Sequence, residues 1–464
     1  MSDSSSEERS ALFVATLTSF MAPFMLSAVN VALPAIQAEL DVDAITLSWI
    51  PTAYLLATAV LLVPIGKVAD RYGRRKIFTA GLVFYTLSST LIAWVPTAAW
   101  LIGMRIVQGF GAAMFITTGM AILSAVFAPE RRGRAIGLYV AAVYIGLSLG
   151  PFAGGLLSQH VGWRSIFLLM LPLGSASVWV TLHFLKREWA ERRDLPFDLI
   201  GSVLYAMAIC ALIYGAIDLP AQGAWALVAL GVVGIGLFVW REKRAADPIF
   251  DIALFQQNRT FALSSLAALI NYAATYGVTF LLSLFLQYIK GLSSQTAGIV
   301  LVAQPVVMAL FSPLAGRLAD RIEPRWIATL GMLITAIGLA GLIPLNPDTH
   351  IIYIICDLML LGFGFALFSS PNMSAIMGSV APRHYGIASG TVATMRLLGQ
   401  MVSMATAAVV LAHFIGRAPI GPDNYPLFIE STQMIFLVFL LICIPGIYFS
   451  FSRGALRKQV PGAE

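Results

Sequence analysis

The chain has 464 residues, of which 59% are hydrophobic and only 11% charged, with a mean hydropathy of +0.84. A soluble domain carries about 25% charged residues, so this make-up excludes a disordered chain, a disulfide scaffold and an ordinary soluble enzyme. The net charge of +6 does not point to nucleic acid, because the basic residues sit in short clusters between apolar runs.

Apolar runs of about 20 residues read as transmembrane helices. Fourteen follow in order: 11–35, 47–65, 77–95, 98–127, 135–159, 165–185, 199–217, 224–240, 261–288, 294–315, 326–345, 351–376, 387–415 and 429–451. The first run is too long for a signal-peptide core and reads as a retained span. An even count puts both termini on one side of the membrane. All but five of the 29 lysines and arginines fall on that side; Arg164, Lys290 and Arg417 lie opposite, and Arg105 and Arg396 lie inside spans. This asymmetry predicts cytoplasmic termini in a cell membrane. The connections on the other side are short, the longest near 38–46 and 416–427. Cys210, Cys356 and Cys443 all sit in apolar runs, at spacings that fit neither a metal site nor a disulfide framework. The five histidines are scattered.

The sequence repeats itself. Gly66-Lys-Val-Ala-Asp70-Arg71-Tyr-Gly73-Arg74-Arg75 recurs as Gly316-Arg-Leu-Ala-Asp320-Arg321-Ile-Glu-Pro-Arg325. Gly109-Phe-Gly-Ala-Ala-Met-Phe115 recurs as Gly362-Phe-Gly-Phe-Ala-Leu-Phe368, and Ala128-Pro129, Gly133 and Gly137 recur as Ala381-Pro382, Gly386 and Gly390. Three collinear matches make spans 1–6 and 9–14 two copies of one six-helix unit. The expected fold is an all-α polytopic membrane protein: a bundle over 1–198, two inserted helices over 199–240, a cytoplasmic linker over 241–260 and a second bundle over 261–464. Parallel halves of this kind are a transporter architecture, with substrate held between them.

Gly66 to Lys76 resembles motif A of the major facilitator superfamily. Arg105-Ile-Val-Gln-Gly109 resembles its motif B, and Gly146-Leu-Ser-Leu-Gly150-Pro151-Phe-Ala-Gly154-Gly155 its motif C, the antiporter pattern. Asn30-Val-Ala-Leu-Pro34, Gly162-Trp-Arg164, and Gly386-Ile-Ala-Ser-Gly390 through Arg396-Leu-Leu-Gly-Gln400 are similar to its fourteen-span drug:proton antiporters. The resemblance implies export of amphipathic small molecules against protons by alternating access. It also implies a cytoplasmic gate at Gly66, Asp70, Arg71, Gly73, Arg74 and Asp320, where Asp70 faces the N-terminus of a helix in the other half. That family commonly carries a span-one aspartate five residues before the asparagine; here the position is Met25.

By spacing alone, Asp70 and Arg74 can pair across a helical turn, and Gly146, Gly150 and Gly154 share one face suited to close packing. Asp357 is the only acid well inside a span. A mid-span charge costs roughly 2.5–3.5 kcal/mol on insertion scales, so Asp357, Arg105 and Arg396 are candidates for proton coupling and the substrate cavity. The repeat places Arg105 and Asp357 at similar depth, facing each other. Arg396 serves equally well as a helix-packing group bonded to backbone carbonyls. Asn30, Asn271, Gln304 and Asn372 are uncharged candidates for the cavity wall. An exporter of one metabolite, possible as an anion because two embedded arginines face one aspartate, is the alternative; a non-transporting membrane sensor is another. No nucleophile motif, paired catalytic carboxylates or phosphate-cradling loop supports an enzyme or direct use of ATP. The expected partners are a small-molecule substrate, protons and the lipid bilayer, without nucleic acid, cofactor or metal, and the working unit is the monomer.

Overall fold

The structure, a computed structural model, describes residues 2–127, 129–190, 198–219, 221, 223–245, 248–250, 252–380 and 385–454. Ala128, Ala381 and Pro382 of the repeated loop, and Arg192, Arg193, Arg383, Arg457 and Lys458 of the basic clusters, lie outside the described residues.

A bilayer offers no water to backbone N–H and C=O groups, so each span closes its own hydrogen bonds as a helix. The first repeat holds α1 (Ser2–Leu40), α2 (Ala44–Tyr72), α3 (Arg74–Ile92), α4 (Ala98–Val126), α5 (Pro129–His160), α6 (Arg164–Leu168) and α7 (Met170–Phe184). Then come α8 (Leu199–Ile217), α9 (Ala224–Glu242) and the short α10 (Ile252–Gln257). The second repeat holds α11 (Arg259–Leu284), a π-helical turn (Phe285–Ile289), α12 (Ser294–Leu301), α13 (Ala303–Ala319), α14 (Pro324–Leu342), α15 (Ile351–Gly378), α16 (Tyr385–Phe414) and α17 (Tyr425–Ser452). No strand occurs among the described residues.

Thirteen of these segments are long and apolar enough to cross a bilayer, among the described residues. The remaining predicted run, 77–95, is α3, whose apolar stretch is shortened by Arg74-Arg75-Lys76 at its start and by Thr86, Ser88, Ser89 and Thr90. Two predicted spans are each interrupted by one non-helical residue, Leu169 and Val302. Pro172 and Pro305 lack the N–H that would bond Leu168 and Leu301, and α6 and α12 end at those two residues.

The chain forms two compact units. One comprises Met1–Ile249, Val278–Val302 and Met404–Thr432; the other comprises Phe250–Gly277, Ala303–Ser403 and Gln433–Glu464. One boundary falls in the linker, between Ile249 and Phe250, and the others cut the second repeat's helical segments. In the first unit α5 lies along α1, and α4 packs on α2 and α3. The inserted helices α8 and α9 form a hairpin: a Cβ on Gly231 would stand 2.7 Å from Leu212 N, and one on Gly215 2.8 Å from Val228 N. Asp198, buried at the start of α8, closes the hairpin with Arg241 at 2.7 Å. In the second unit α15 packs on α13 and α14.

Candidate functional site

The glycines of the antiporter-like pattern meet two different helices. Gly146, Gly150 and Gly154 turn to α1: a Cβ on them would stand 2.5 Å from Phe20 O, 2.9 Å from Phe24 O and 2.7 Å from Ala28 Cα. The neighbouring face, Pro151 and Gly155, meets α12 of the second repeat. A Cβ on Gly155 would stand 2.4 Å from Ser294 O, and one on Gly298 2.1 Å from Pro151 O. Pro151-x-x-x-Gly155 and Ser294-x-x-x-Gly298 thus fit into each other backbone to backbone, which only small residues allow. At the edge of this seam His160 Nε2 lies 3.0 Å from Gln295 Oε1. Gly298 escaped the sequence reading; its four-residue spacing from Ser294 was the available signal.

Beside the seam, a proline creates a docking point. Pro34 has no N–H, so the carbonyl of Asn30, four residues earlier, loses its helical donor. Ser283 Oγ supplies one at 2.8 Å. Gln287, in the π-helical turn, donates from Nε2 to Val31 O at 3.0 Å and accepts from Ser294 Oγ at 2.8 Å. Tyr288 donates its hydroxyl to Gln37 Oε1. The π turn, where Lys290 N reaches back to Phe285 O, is a device commonly found at functional sites. Asn30 itself is buried and its Oδ1 has no hydrogen-bond partner among the described residues. At the same end of the unit, Glu39 of α1 accepts from Trp163 Nε1 at 2.7 Å and pairs with Arg164.

At the opposite end of α2, Gly73 joins α2 to α3 with φ +117°, a backbone that side chains resist. Asp70 Oδ1 accepts from Arg74 Nε at 2.8 Å, the pairing the spacing predicts. Arg71 lies over the ring of Tyr72. Gly66 sits beside Thr117. Because Gly73 has no side chain to cap α3, Glu188 reaches in from beyond α7 and accepts from Arg75 N at 2.8 Å, a carboxylate at a helix N-terminus. Nothing in the local sequence marks Glu188 for this task. The second copy departs from the first: Gly73 is matched by Glu323, and α14 opens on Pro324. Asp320 is exposed just past α13.

The embedded charges have separate surroundings. Arg105 is fully buried; it donates to Ile50 O at 3.1 Å and to Gln108 Oε1, and stacks 4.4 Å from the centre of the Tyr54 ring. These partners all belong to the first unit. Asp357, 7% exposed, belongs to the second, where its Oδ1 presses on Gly341 of α14 and its Oδ2 has no hydrogen-bond partner among the described residues. Arg396 is half-buried and bonds to no backbone carbonyl among the described residues. Asn271 is fully buried with neither amide atom bonded. Asn372 is a helix–helix tie, donating to Ser264 O at 3.1 Å and accepting from Arg453 at 2.6 Å. The backbone carbonyl of Gln304 packs against Gly362, where a Cβ would stand 2.4 Å from its oxygen. Arg453, one of the basic residues counted on the terminal side, is in fact 1% exposed. Burial pulls its guanidinium below the usual arginine range, and the Glu323 carboxylate opposes that shift.

The sequence profile of the Major Facilitator Superfamily matches residues 15–198 and 264–464. The chain belongs to that superfamily. It is 31% identical to the riboflavin transporter RibZ of Clostridioides difficile, over 83% of this chain and 84% of the relative. It is 35% identical to the multidrug resistance protein Stp of Mycobacterium tuberculosis, over 83% of this chain and 73% of that protein. Among solved structures, a bacterial homolog of the human lysosomal transporter Spinster superposes with a TM-score of 0.68 at 17% identity, covering 96% of this chain and 97% of that one. This facilitator is therefore a multi-pass membrane transporter of small molecules and not an enzyme, and several of its relatives are named resistance or export proteins.

Proposed function

We propose that this transporter exports amphipathic, drug-like small molecules across the cell membrane in exchange for protons. It works as a monomer with both termini in the cytoplasm, its repeats opening alternately to the two sides. The observation that carries the reading is the seam of Pro151 and Gly155 against Ser294 and Gly298. It joins the two repeats at one end through close backbone contact and a few hydrogen bonds. In lipid no hydrophobic force holds such a contact shut, so it can part and re-form. A relative named for multidrug resistance supports a broad substrate range. The profile match, which stops at 198 and resumes at 264, supports treating α8 and α9 as inserted between the two bundles. The relative named for riboflavin supports a second reading, export of a single metabolite.

Proton exchange is assigned to Asp357, the only acid well inside a span, whose Oδ2 awaits a partner. A proton biases two states only by binding them unequally, and a carboxylate whose surroundings change does that. Proteoliposomes with an imposed pH gradient test it. Asp357→Asn should abolish gradient-driven accumulation while energy-independent counterflow persists. Accumulation at the wild-type rate would remove Asp357 from coupling.

Asp70 acts in one conformational state rather than as a core contact. Its ion pair with Arg74 is partly exposed and contributes about 0–1 kcal/mol. Asp70→Asn should therefore lower transport roughly tenfold or more while the melting temperature falls by about 2 °C or less. A melting-temperature loss large enough to account for the whole transport defect would make Asp70 structural.

A further inference from the structure

Arg396 lies in the interior of α16, on the side it shares with Gly399, Gln400 and Ser403, at offsets of three, four and seven residues. That side faces α11. A Cβ on Gly399 would stand 2.3 Å from Leu269 O and 2.8 Å from Tyr272 Cβ, and Ser403 Oγ accepts from Gly277 N at 2.9 Å. Arg396 itself is half-buried. No hydrogen bond, ion pair or ring contact joins the Arg396 guanidinium among the described residues. A charge placed at this depth without a partner is costly, and the protein retains it.

The surroundings are poor in counter-charge. Neither α11 nor α16 holds an acidic residue. The one acid well inside a span, Asp357, turns its carboxylate to Gly341 of α14. Gln400, one turn beyond Arg396 and 8% exposed, keeps an Oε1 unbonded among the described residues. Tyr272, at that contact, stands edge to face with Phe365 at 5.3 Å between ring centres.

We infer that the exported molecule is an organic anion with an aromatic body, such as an aromatic carboxylate or acidic phenol, and that Arg396 binds its negative group. The guanidinium offers a planar fork of N–H donors that a carboxylate satisfies in pairs. The Tyr272–Phe365 pair offers a face to an aromatic body. A cation entering here would meet Arg396 with no carboxylate on either helix to offset the repulsion. This rests on the export reading and narrows it.

The test compares two dyes with the same ring system and opposite charge, anionic fluorescein and cationic rhodamine 123. Each is measured in counterflow with wild type, Arg396→Gln and Arg396→Lys, alongside thermal melting of each purified protein. The expected result is wild-type counterflow of fluorescein with rhodamine 123 neither carried nor inhibitory. Arg396→Gln should melt as wild type does and raise the half-saturating fluorescein concentration at least tenfold, and Arg396→Lys should restore part of that loss. Carriage of rhodamine 123 in preference to fluorescein would overturn the anion assignment and leave export standing. An unchanged half-saturation in Arg396→Gln, or a loss in it matched by a loss of folding and not repaired by Arg396→Lys, would overturn the role of Arg396. A folded wild type that carries neither dye nor any neutral amphipath would overturn the export reading itself.

Discussion

Gly298→Ala is expected to open the α5–α12 seam while leaving the protein folded. The added methyl would stand 2.1 Å from the carbonyl oxygen of Pro151, a distance no carbon–oxygen contact tolerates. The obstacle is backbone, so no side chain can rotate away. Relief requires α12 to move off α5, and overpacking of this kind costs about 1–3 kcal/mol or more. The cost falls only on the state in which the seam is closed, so the open state gains about tenfold to a hundredfold in population. The check is cross-linking of His160→Cys to Gln295→Cys with a short bifunctional thiol reagent, after replacement of Cys210, Cys356 and Cys443. Those two side chains meet across the closed seam, so the yield should fall several-fold in Gly298→Ala with little change in melting temperature. Gln287→Ala, which removes bonds to Val31 and Ser294, should act in the same direction and less strongly, each neutral hydrogen bond being worth about 0.5–1.5 kcal/mol. An unchanged yield in Gly298→Ala would mean that the seam does not separate during transport.

Gly150→Ala should do the reverse and destabilise the fold. Its methyl would stand 1.8 Å from Ser27 Oγ and 2.9 Å from Phe24 O. Ser27 is held there by donating to Pro23 O at 3.0 Å and Phe24 O at 3.2 Å. The contact lies between α1 and α5, two helices of one repeat, so both conformational states bear the strain. A loss of several degrees in melting temperature is expected. Replacing Ser27 by glycine in the same molecule should recover more than half of it, since the pair is in direct contact and couples. Gly236→Ala is the control. No atom stands within 4 Å of the added methyl, and alanine suits the helix better by about 1 kcal/mol, so stability should hold or rise. Equal losses from Gly150→Ala and Gly236→Ala would show that the close approach of α1 and α5 carries no weight.

The sequence by itself determined the membrane class, the spans and the doubled six-helix plan, because these are properties of single segments and of their comparison with one another. Apolar length sets a span whatever its neighbours are. The pairing of Asp70 with Arg74, four residues apart, was legible for the same reason, as was the small-residue face of Gly146, Gly150 and Gly154. The tertiary structure alone decided which helix meets each face. The glycine run marks α5 as a packing surface, yet nothing in it tells that Gly155 turns to the second repeat while Gly154 turns to α1. Pro34 announces a freed carbonyl at Asn30, but its donor, Ser283, is more than two hundred residues away and looks like any other serine in an apolar run. Glu188 belongs to the same class, because a helix start that lacks its own cap can be served by any carboxylate the fold brings near. Arg453 reads as one more basic residue at a membrane edge until Ser264 and Asn372 enclose it. A helix records in its own sequence where its faces are; which partner covers each face is fixed only when distant segments pack, since the contact depends on both surfaces at once.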